Sequence, residues 1–361
     1  MSVPAPRDAA SVRSRSDSTS RRETARLLAR TLEEGLSRLH GRAVRIRGLR
    51  REVLASSSSF RTERLRVKLD SGKPLRVFFK DLHPDHLMAK ARTVRAFDLE
   101  PSWRELQVYQ SILSAERFGT LQLYAYRWEP ERGRIWVFLE DGGHALLRNS
   151  LDLANWAAAA RWAARFHAAT RDLPAGHTKF LPSYDEPHYR RCARQVERIL
   201  LDVEGVERAL LERGLAVFVH DIARLVALPR CVIHGQFFGQ NILLRRGVVA
   251  TGTTPSPVVI DWETAAIGPG HFDLASLSAG KWTEDQREVM WTAYVEQYEA
   301  ETGQRLDGET WRQDLRCVAV YLCLEWLVWW SGHRRVSRDF ARFLRDLDGL
   351  LAARDAAAEA R

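Results

Sequence analysis

Leucines recur at helical spacing at positions 28, 32, 36 and 39 and predict an amphipathic helix near the start of the chain. The segment before it, residues 1–22, is rich in Ser, Arg, Pro and Ala without any period and is expected to be a disordered tail. After the helix the pattern shortens to that of strands, at Ala43–Leu54, Arg61–Leu69 and Leu75–Lys80, with Asp70-Ser71-Gly72-Lys73 as a turn. Ser102–Leu113 returns to helical spacing through Leu106, Tyr109 and Leu113. Two further strands are expected near Leu121–Trp128 and Arg134–Leu139. Beyond Glu140-Asp141-Gly142-Gly143 the chain becomes mostly helical, with a small β insert over 230–261. Trp156, Ala159, Ala163 and Phe166 mark one face of an Ala-rich helix. No internal repeat is present. The pattern predicts an α+β chain in three parts: a tail over 1–22, a β-rich lobe over 23–140 and a helical lobe over 141–361.

Composition narrows the function classes. The 361 residues carry a formal charge of +9, and 45% are hydrophobic, enough for a substantial core. The basic excess is mostly arginine scattered along the chain, and no nucleic-acid-binding fingerprint accompanies it, so no nucleic-acid partner is expected. Cys192, Cys231, Cys317 and Cys323 form no C-x-x-C pair and read as reduced, buried thiols. The N-terminus has no apolar signal region. The most apolar run, Cys317–Trp330, is too short for a membrane span and contains Glu325. A cytoplasmic protein without a membrane partner is therefore expected. P-loop, dinucleotide-binding and His-Glu-x-x-His patterns are all missing from the sequence, which argues against a GTPase, a Rossmann dehydrogenase or a zinc hydrolase.

The densest chemistry lies in His234-Gly235-Gln236-Phe237-Phe238-Gly239-Gln240-Asn241. It comes directly after a buried strand, Cys231-Val232-Ile233. Farther on, Val258-Val259-Ile260 leads to Asp261-Trp262-Glu263 and then to a Gly268-Pro269-Gly270 turn before Asp273. Between these two blocks, residues 245–257 form a Gly/Thr/Ser/Pro loop, and Pro255 and Pro257 should confine the second strand to the residues after Pro257.

This series resembles the catalytic loop and metal-binding acid of the aminoglycoside phosphotransferase and choline-kinase branch of the protein-kinase-like fold, over roughly residues 43–280. The resemblance implies a bilobal architecture and an ATP- and Mg2+-dependent transfer to a hydroxyl of a small molecule, aminoglycoside-like or an amino alcohol. It makes Lys80, ending the strand Val77-Phe78-Phe79, the residue that reaches the nucleotide phosphates. Glu105 becomes the helix carboxylate that holds the lysine, with Glu100 as a second candidate. Ser57 and Ser58, in the run Ala55–Phe60, match the phosphate-covering loop, where backbone N–H groups and hydroxyls can both donate to phosphate. Glu140 and Gly142 stand at the hinge whose backbone would meet adenine. His234 braces the catalytic loop, Asn241 and Asp261 bind magnesium, Glu263 assists the metal or a water, and Asp273 braces the loop.

One position departs from the pattern. The general-base aspartate is replaced by Gln236. Its carbonyl oxygen can accept a hydrogen bond from an acceptor hydroxyl, yet it cannot take up the proton. Losing general-base help costs about 10²–10⁴ in rate, while positioning and charge neutralisation, the larger contributions in phosphoryl transfer, survive. The alternative is a catalytically impaired pseudoenzyme that binds nucleotide and acts as a binding or regulatory module. For an acceptor site the candidates are the acids Glu284, Asp285, Glu325 and Asp339 and the tryptophans 282, 291, 326, 329 and 330. Solvated faces are the simpler reading for the acids, and buried packing for the tryptophans. His167 lies on the Ala-rich helix and is expected to serve packing.

Overall fold

A computed structural model of the chain describes residues 9–54, 60, 62–70, 72–87, 100–113, 115–245, 255–333 and 338–359. The chain divides into two compact units, Met1–Ala91 with Gln122–Asp141, and Arg92–Leu121 with Gly142–Arg361.

The first unit is a five-stranded antiparallel sheet covered by one helix. The strands are β1 (Ile46–Val53), β2 (Thr62–Leu69), β3 (Leu75–Asp81), β4 (Leu123–Glu129) and β5 (Arg134–Glu140), in the order β1-β2-β3-β5-β4. Helix α1 (Ala9–His40) lays the buried Leu28, Leu32 and Leu36 against Leu65, Val67, Val77, Phe79 and Phe138 of the sheet. Leu39, the fourth leucine of the expected face, is exposed near the helix end. Gly35 lets α1 approach β4, since a Cβ there would stand 2.2 Å from the Tyr124 carbonyl oxygen.

The expected tail needs correction. Helix α1 begins at Ala9, so most of the segment 1–22 is helical. Past Pro6 the segment contains neither Gly nor Pro, so no strong breaker stands in the way of a helix continuing back from the leucines.

The second unit contains two short hairpins embedded among helices. β6 (Arg230–Ile233) pairs with β9 (Ala266–Pro269), and β7 (Ile242–Arg245) pairs with β8 (Ser256–Val259). Pro257 therefore lies within a strand rather than before it. It opposes Leu244, whose own N–H is directed to the Ala145 carbonyl at 2.7 Å, so the missing proline donor costs the ladder nothing. The longer helices are α2 (Glu100–Ser111), α3 (Leu153–Thr170), α4 (Glu186–Leu200), α5 (Gly205–Ala227), α6 (His271–Leu277), α7 (Glu284–Thr302), α8 (Gly308–Trp330) and α9 (Arg338–Glu359). Asp152 caps α3 by accepting from the Ala154 amide, and Thr283 with Gln286 forms a reciprocal capping box on α7. The alanines of α3 pack closely on α7, while α8 packs against α4, α5, α6 and α9.

Helix α2 groups with this second unit, which changes the boundary expected at 140. Leu106, Val108 and Tyr109 are buried, and the Arg104 guanidinium donates to the Glu263 carbonyl at 2.9 Å. Three buried side chains and a part-buried arginine bond outweigh the proximity in sequence to the strands. No described helix is long and apolar enough to cross a membrane. The four cysteines are free thiols and all are buried.

Candidate active site

Strand β6 delivers His234 into the interior. Cys231, Val232 and Ile233 are buried, and His234 itself has no exposed surface. Its Nε2 lies 2.9 Å from the Ile260 carbonyl oxygen, and the Gln236 amide N–H points at its Nδ1 from 3.2 Å. A backbone amide can only donate, so Nδ1 is the acceptor and Nε2 carries the proton. Burial pulls the imidazole pKa below its ordinary value, Asp273 opposing that shift, in keeping with a neutral ring. The ring is also packed edge-on against Trp262 at a centroid separation of 4.7 Å.

Gly235 comes next, at φ 79°, and a Cβ there would lie 2.4 Å from the Thr264 carbonyl oxygen. Only glycine meets both conditions. The sharp turn aims two successive N–H groups, those of His234 and Gly235, at the carboxylate of Asp273, at 2.7 and 3.0 Å. Asp273 is itself buried and accepts a third bond from His167 Nε2 at 3.1 Å. His167 Nδ1 meets the Tyr294 hydroxyl at 2.9 Å. A Cβ at Gly270 would come within 2.7 Å of both of these last atoms, so the Gly-Pro-Gly turn is what makes room for them. The expected bracing role of Asp273 takes this form. His167, assigned to packing from the sequence, is part of the brace, and Tyr294 was missed. Neither residue carries a local signal: His167 lies 106 residues from Asp273 and 127 from Tyr294.

The segment from Gln236 to Asn241 closes on itself. The Phe238 amide donates to the Gln236 carbonyl at 2.8 Å, and the Asn241 side-chain amide donates to that same oxygen at 3.0 Å. Because a carbonyl oxygen only accepts, the nitrogen of Asn241 must be the atom that faces it. The Asn241 carbonyl oxygen is thereby the side-chain atom turned to other duties.

Register sets the second candidate, Asp261, close to Asn241 along the backbone. Ile242 opposes Val259, and the Ile260 amide donates to the Asn241 carbonyl at 3.0 Å, so Asn241 stands across from the residue preceding Asp261. Asp261 then leaves the strand at φ 70° and ψ 62°, the one non-glycine residue with positive φ among those described. A left-handed conformation at a residue with a Cβ costs roughly 1–2 kcal/mol and is common at functional sites. Glu263 is buried just beyond it, on the single turn Trp262–Thr264.

The remaining candidates are distributed over both units. Glu105 is buried on α2 in the same unit as the loop. Lys80 is half-buried on β3 in the sheet unit, on the face opposite Phe79. Glu140 ends β5, where its carboxylate accepts from the Gln122 amide at 3.3 Å. Gly142 begins the second segment of the second unit, and a Cβ there would stand 2.6 Å from Leu243 Cδ1. Ser57 and Ser58 lie outside the described residues. Of the acids considered for an acceptor, Glu284 faces Arg287 and Asp339 faces Arg342, at 3.6 and 3.3 Å. Glu325 accepts from the Tyr321 hydroxyl at 2.7 Å.

An α+β chain with this histidine–glycine loop, Asn241 and Asp261 at the end of one hairpin, and an aspartate bracing the loop has the architecture of a kinase-like phosphotransferase. The chain belongs to the APH phosphotransferase enzyme family, whose model matches residues 104–313, more than half of its length. A comparison with curated proteins finds no match. Among solved structures, a microcompartment-associated aminopropanol kinase superposes with a TM-score of 0.55 at 18% identity, over 86% of this chain and 93% of that one. Choline kinase from Cryptosporidium parvum Iowa II gives 0.56 at 10% identity, over 86% and 90%. The GDP complex of aminoglycoside 2′-phosphotransferase-IIIa gives 0.55 at 13% identity, over 86% and 94%. These likenesses establish the shared kinase-like fold.

Proposed function

We propose that this protein transfers the terminal phosphoryl group of ATP to a hydroxyl of a small molecule in a magnesium-dependent reaction. The observation that supports the reading is backbone register: Asn241 lies across from Ile260, the residue before Asp261, at the open end of the β7–β8 hairpin, so the two candidate oxygen donors occupy neighbouring chain positions. Two protein oxygens suit a magnesium ion that takes its other ligands from phosphate and water. Among the described residues no group of three His, Cys, Asp or Glu side chains forms a separate metal cage. When bound, such an ion neutralises charge on the phosphates.

The chain's own groups supply the rest. Lys80 is the candidate to meet the phosphates, and Glu105 the candidate to orient it. Ser57, Ser58, Glu140 and Gly142 stay candidates for nucleotide contacts on the strength of the resemblance. Gln236 offers a carbonyl oxygen to the acceptor hydroxyl and so fixes its direction of attack without removing its proton. His234, held neutral and clamped at both ring nitrogens, fixes the loop on which Gln236 and Asn241 sit. Family resemblance points to amino alcohols and aminoglycosides as the first acceptors to try.

The test is ATP turnover by the native chain, Gln236→Asp and Asp261→Ala against amino alcohols, aminoglycosides and uncharged glycosides. The reading expects measurable transfer by the native chain, a gain of about 10²-fold or more in Gln236→Asp, and loss in Asp261→Ala. Mg-ATP binding without transfer in both the native chain and Gln236→Asp would instead identify a nucleotide-binding module. Absence of binding as well would reject both.

A further inference from the structure

Helix α4 sends His188 toward α8, where it meets Tyr321 and Glu325, a pair one helical turn apart. His188 Nε2 lies 2.7 Å from the Tyr321 hydroxyl, and that hydroxyl lies 2.7 Å from Glu325 Oε1. The imidazole and the carboxyl group are themselves 4.0 Å apart, the one ion-pair contact of Glu325 among the described residues. Donor chemistry fixes where the protons sit. The Arg191 guanidinium reaches His188 Nδ1 at 3.4 Å and can only donate, so Nδ1 accepts and Nε2 carries the proton. Nε2–H then donates to the Tyr321 oxygen, which leaves the phenolic proton for Glu325. The bonds all run one way, from Arg191 to Glu325.

The surroundings are mostly aromatic and uncharged. Tyr184 stacks on His188 at 4.0 Å, Tyr189 meets Tyr321 edge-on at 4.9 Å, and Phe218 of α5 stacks on Tyr321 at 5.4 Å. Helix α4 adds the Cys192 thiol, which feels the Glu325 charge, and Asp185 accepts from the His188 amide. Arg104 of α2 and Asp273 of α6 act on Tyr184, and Arg230 of β6 acts on Tyr189. Helix α9 faces this stretch of α8 with Phe343, stacked on Trp326. Burial pushes the Glu325 carboxyl up to about 7, the Tyr321 bond opposing, and pulls His188 down to about 4, with Arg191 adding to the shift. Burial also keeps Tyr321 protonated well past its ordinary range. Glu325 is therefore the member of the chain that changes charge near neutral pH. Its side chain is 32% exposed, so the proton has a way out to water.

We propose that His188, Tyr321 and Glu325 form a one-proton latch between α4 and α8: with the proton in place the seam is neutral and tight, and its departure leaves a carboxylate between the helices and loosens α8. The carboxyl O–H bond breaks, the proton passes to water, and the Tyr321 hydroxyl holds the carboxylate that remains. The next residue, Trp326, meets Phe238 edge to face at 5.2 Å, so loosening here reaches the His234–Asn241 segment. The latch goes beyond phosphoryl transfer and does not depend on it.

In the unfolded chain Glu325 titrates near 4.5, so the stability it contributes is complete below about 4.5 and is lost as pH rises through about 7. His188 works in the opposite direction, losing stability as pH falls below about 6.5. Dividing by the behaviour of Glu325→Gln, which keeps the histidine, isolates the carboxyl group.

The experiment is infrared titration and amide hydrogen exchange of the full-length protein and Glu325→Gln. A protonated-carboxyl carbonyl band is expected to vanish with a midpoint near about pH 7 in the native chain and to be missing from the variant. Exchange in residues 317–330, corrected for intrinsic rate and divided by that of Glu325→Gln, should speed up about tenfold between about pH 6 and about pH 8. Tyr321→Phe keeps the ring and removes the donor to Glu325, so the midpoint should move upward. A midpoint below about pH 5.5, the same band in Glu325→Gln, or an exchange ratio equal at the two pH values would overturn the proposal. Should Glu325→Gln fail to fold, Tyr321→Phe decides: an upward shift sustains the latch and an unmoved midpoint rejects it.

Discussion

Asp273 holds His234 by its backbone, not by its ring: the carboxylate accepts the His234 amide at 2.7 Å, and the ring turns the other way to donate to the Ile260 carbonyl. The His234–Gly235 segment is thus pinned to the start of α6 on one side and to the end of β8 on the other. A carboxylate this deeply buried is tolerable because two amides and an imidazole N–H satisfy it.

Asp273→Asn should therefore damage more than one bond. An amide cannot accept at both of its ends, so one of the His234 or Gly235 N–H groups, or His167, would face an NH2 group. A loss of about 3 kcal/mol in unfolding free energy is expected, measured by urea denaturation. Turnover should fall with it, by roughly tenfold or more, as the loop loosens. A variant with native stability would show that the brace carries little energy.

Gly235→Ala combines a left-handed backbone with a Cβ 2.4 Å from the Thr264 carbonyl. A destabilisation above about 2 kcal/mol is expected, large for the addition of one methyl group. Gly143→Ala is the control. It also has positive φ, 88°, but its Cβ would meet nothing within 4 Å, so the conformational cost alone, about 1 kcal/mol, should remain.

At Asp261, stability and activity should separate. Both Asp261→Ala and Asp261→Gly remove the carboxylate and should abolish transfer. The glycine variant relieves the φ of 70° and should be more stable than the alanine variant by about 1 kcal/mol, read from thermal melting. Equal melting temperatures would mean that the backbone relaxes once the carboxylate is gone.

His271 gives a pH signature. It is buried against Trp311, neither ring nitrogen has a partner among the described residues, and burial pushes its pKa down to about 3. The unfolded chain binds this proton near pH 6.5 and the folded chain does not until about 3. Stability from this group is fully present above about 6.5 and is lost as pH falls toward about 3, with a slope of about 1.4 kcal/mol per pH unit. His271→Leu should flatten the denaturation free energy between about pH 6 and about pH 4 relative to the native chain by about that slope. His188, lowered to about 4 chiefly by burial, contributes with the same sign and is common to both proteins. A native slope in His271→Leu would reject the assignment.

Much of this protein is legible in its sequence. The leucines of α1, the strand alternation in β2 and β3, and the His234–Asn241 and Asp261 spacings are local patterns. Local patterns survive in sequence because backbone geometry fixes them at short range. Helix α1 still runs further back than composition implies, since no Gly or Pro interrupts it after Pro6, and α2 joins the unit of the His234–Asn241 segment through its buried face. What the tertiary structure alone decided was partnership. Asp273 finds the amides of His234 and Gly235 only after α6 folds back. His167 reaches it across 106 residues, and Trp326 meets Phe343 because α8 and α9 pack side by side. Side-chain period says which face is buried; which distant groups meet on that face is set by how helices pack, and no spacing along the chain records it.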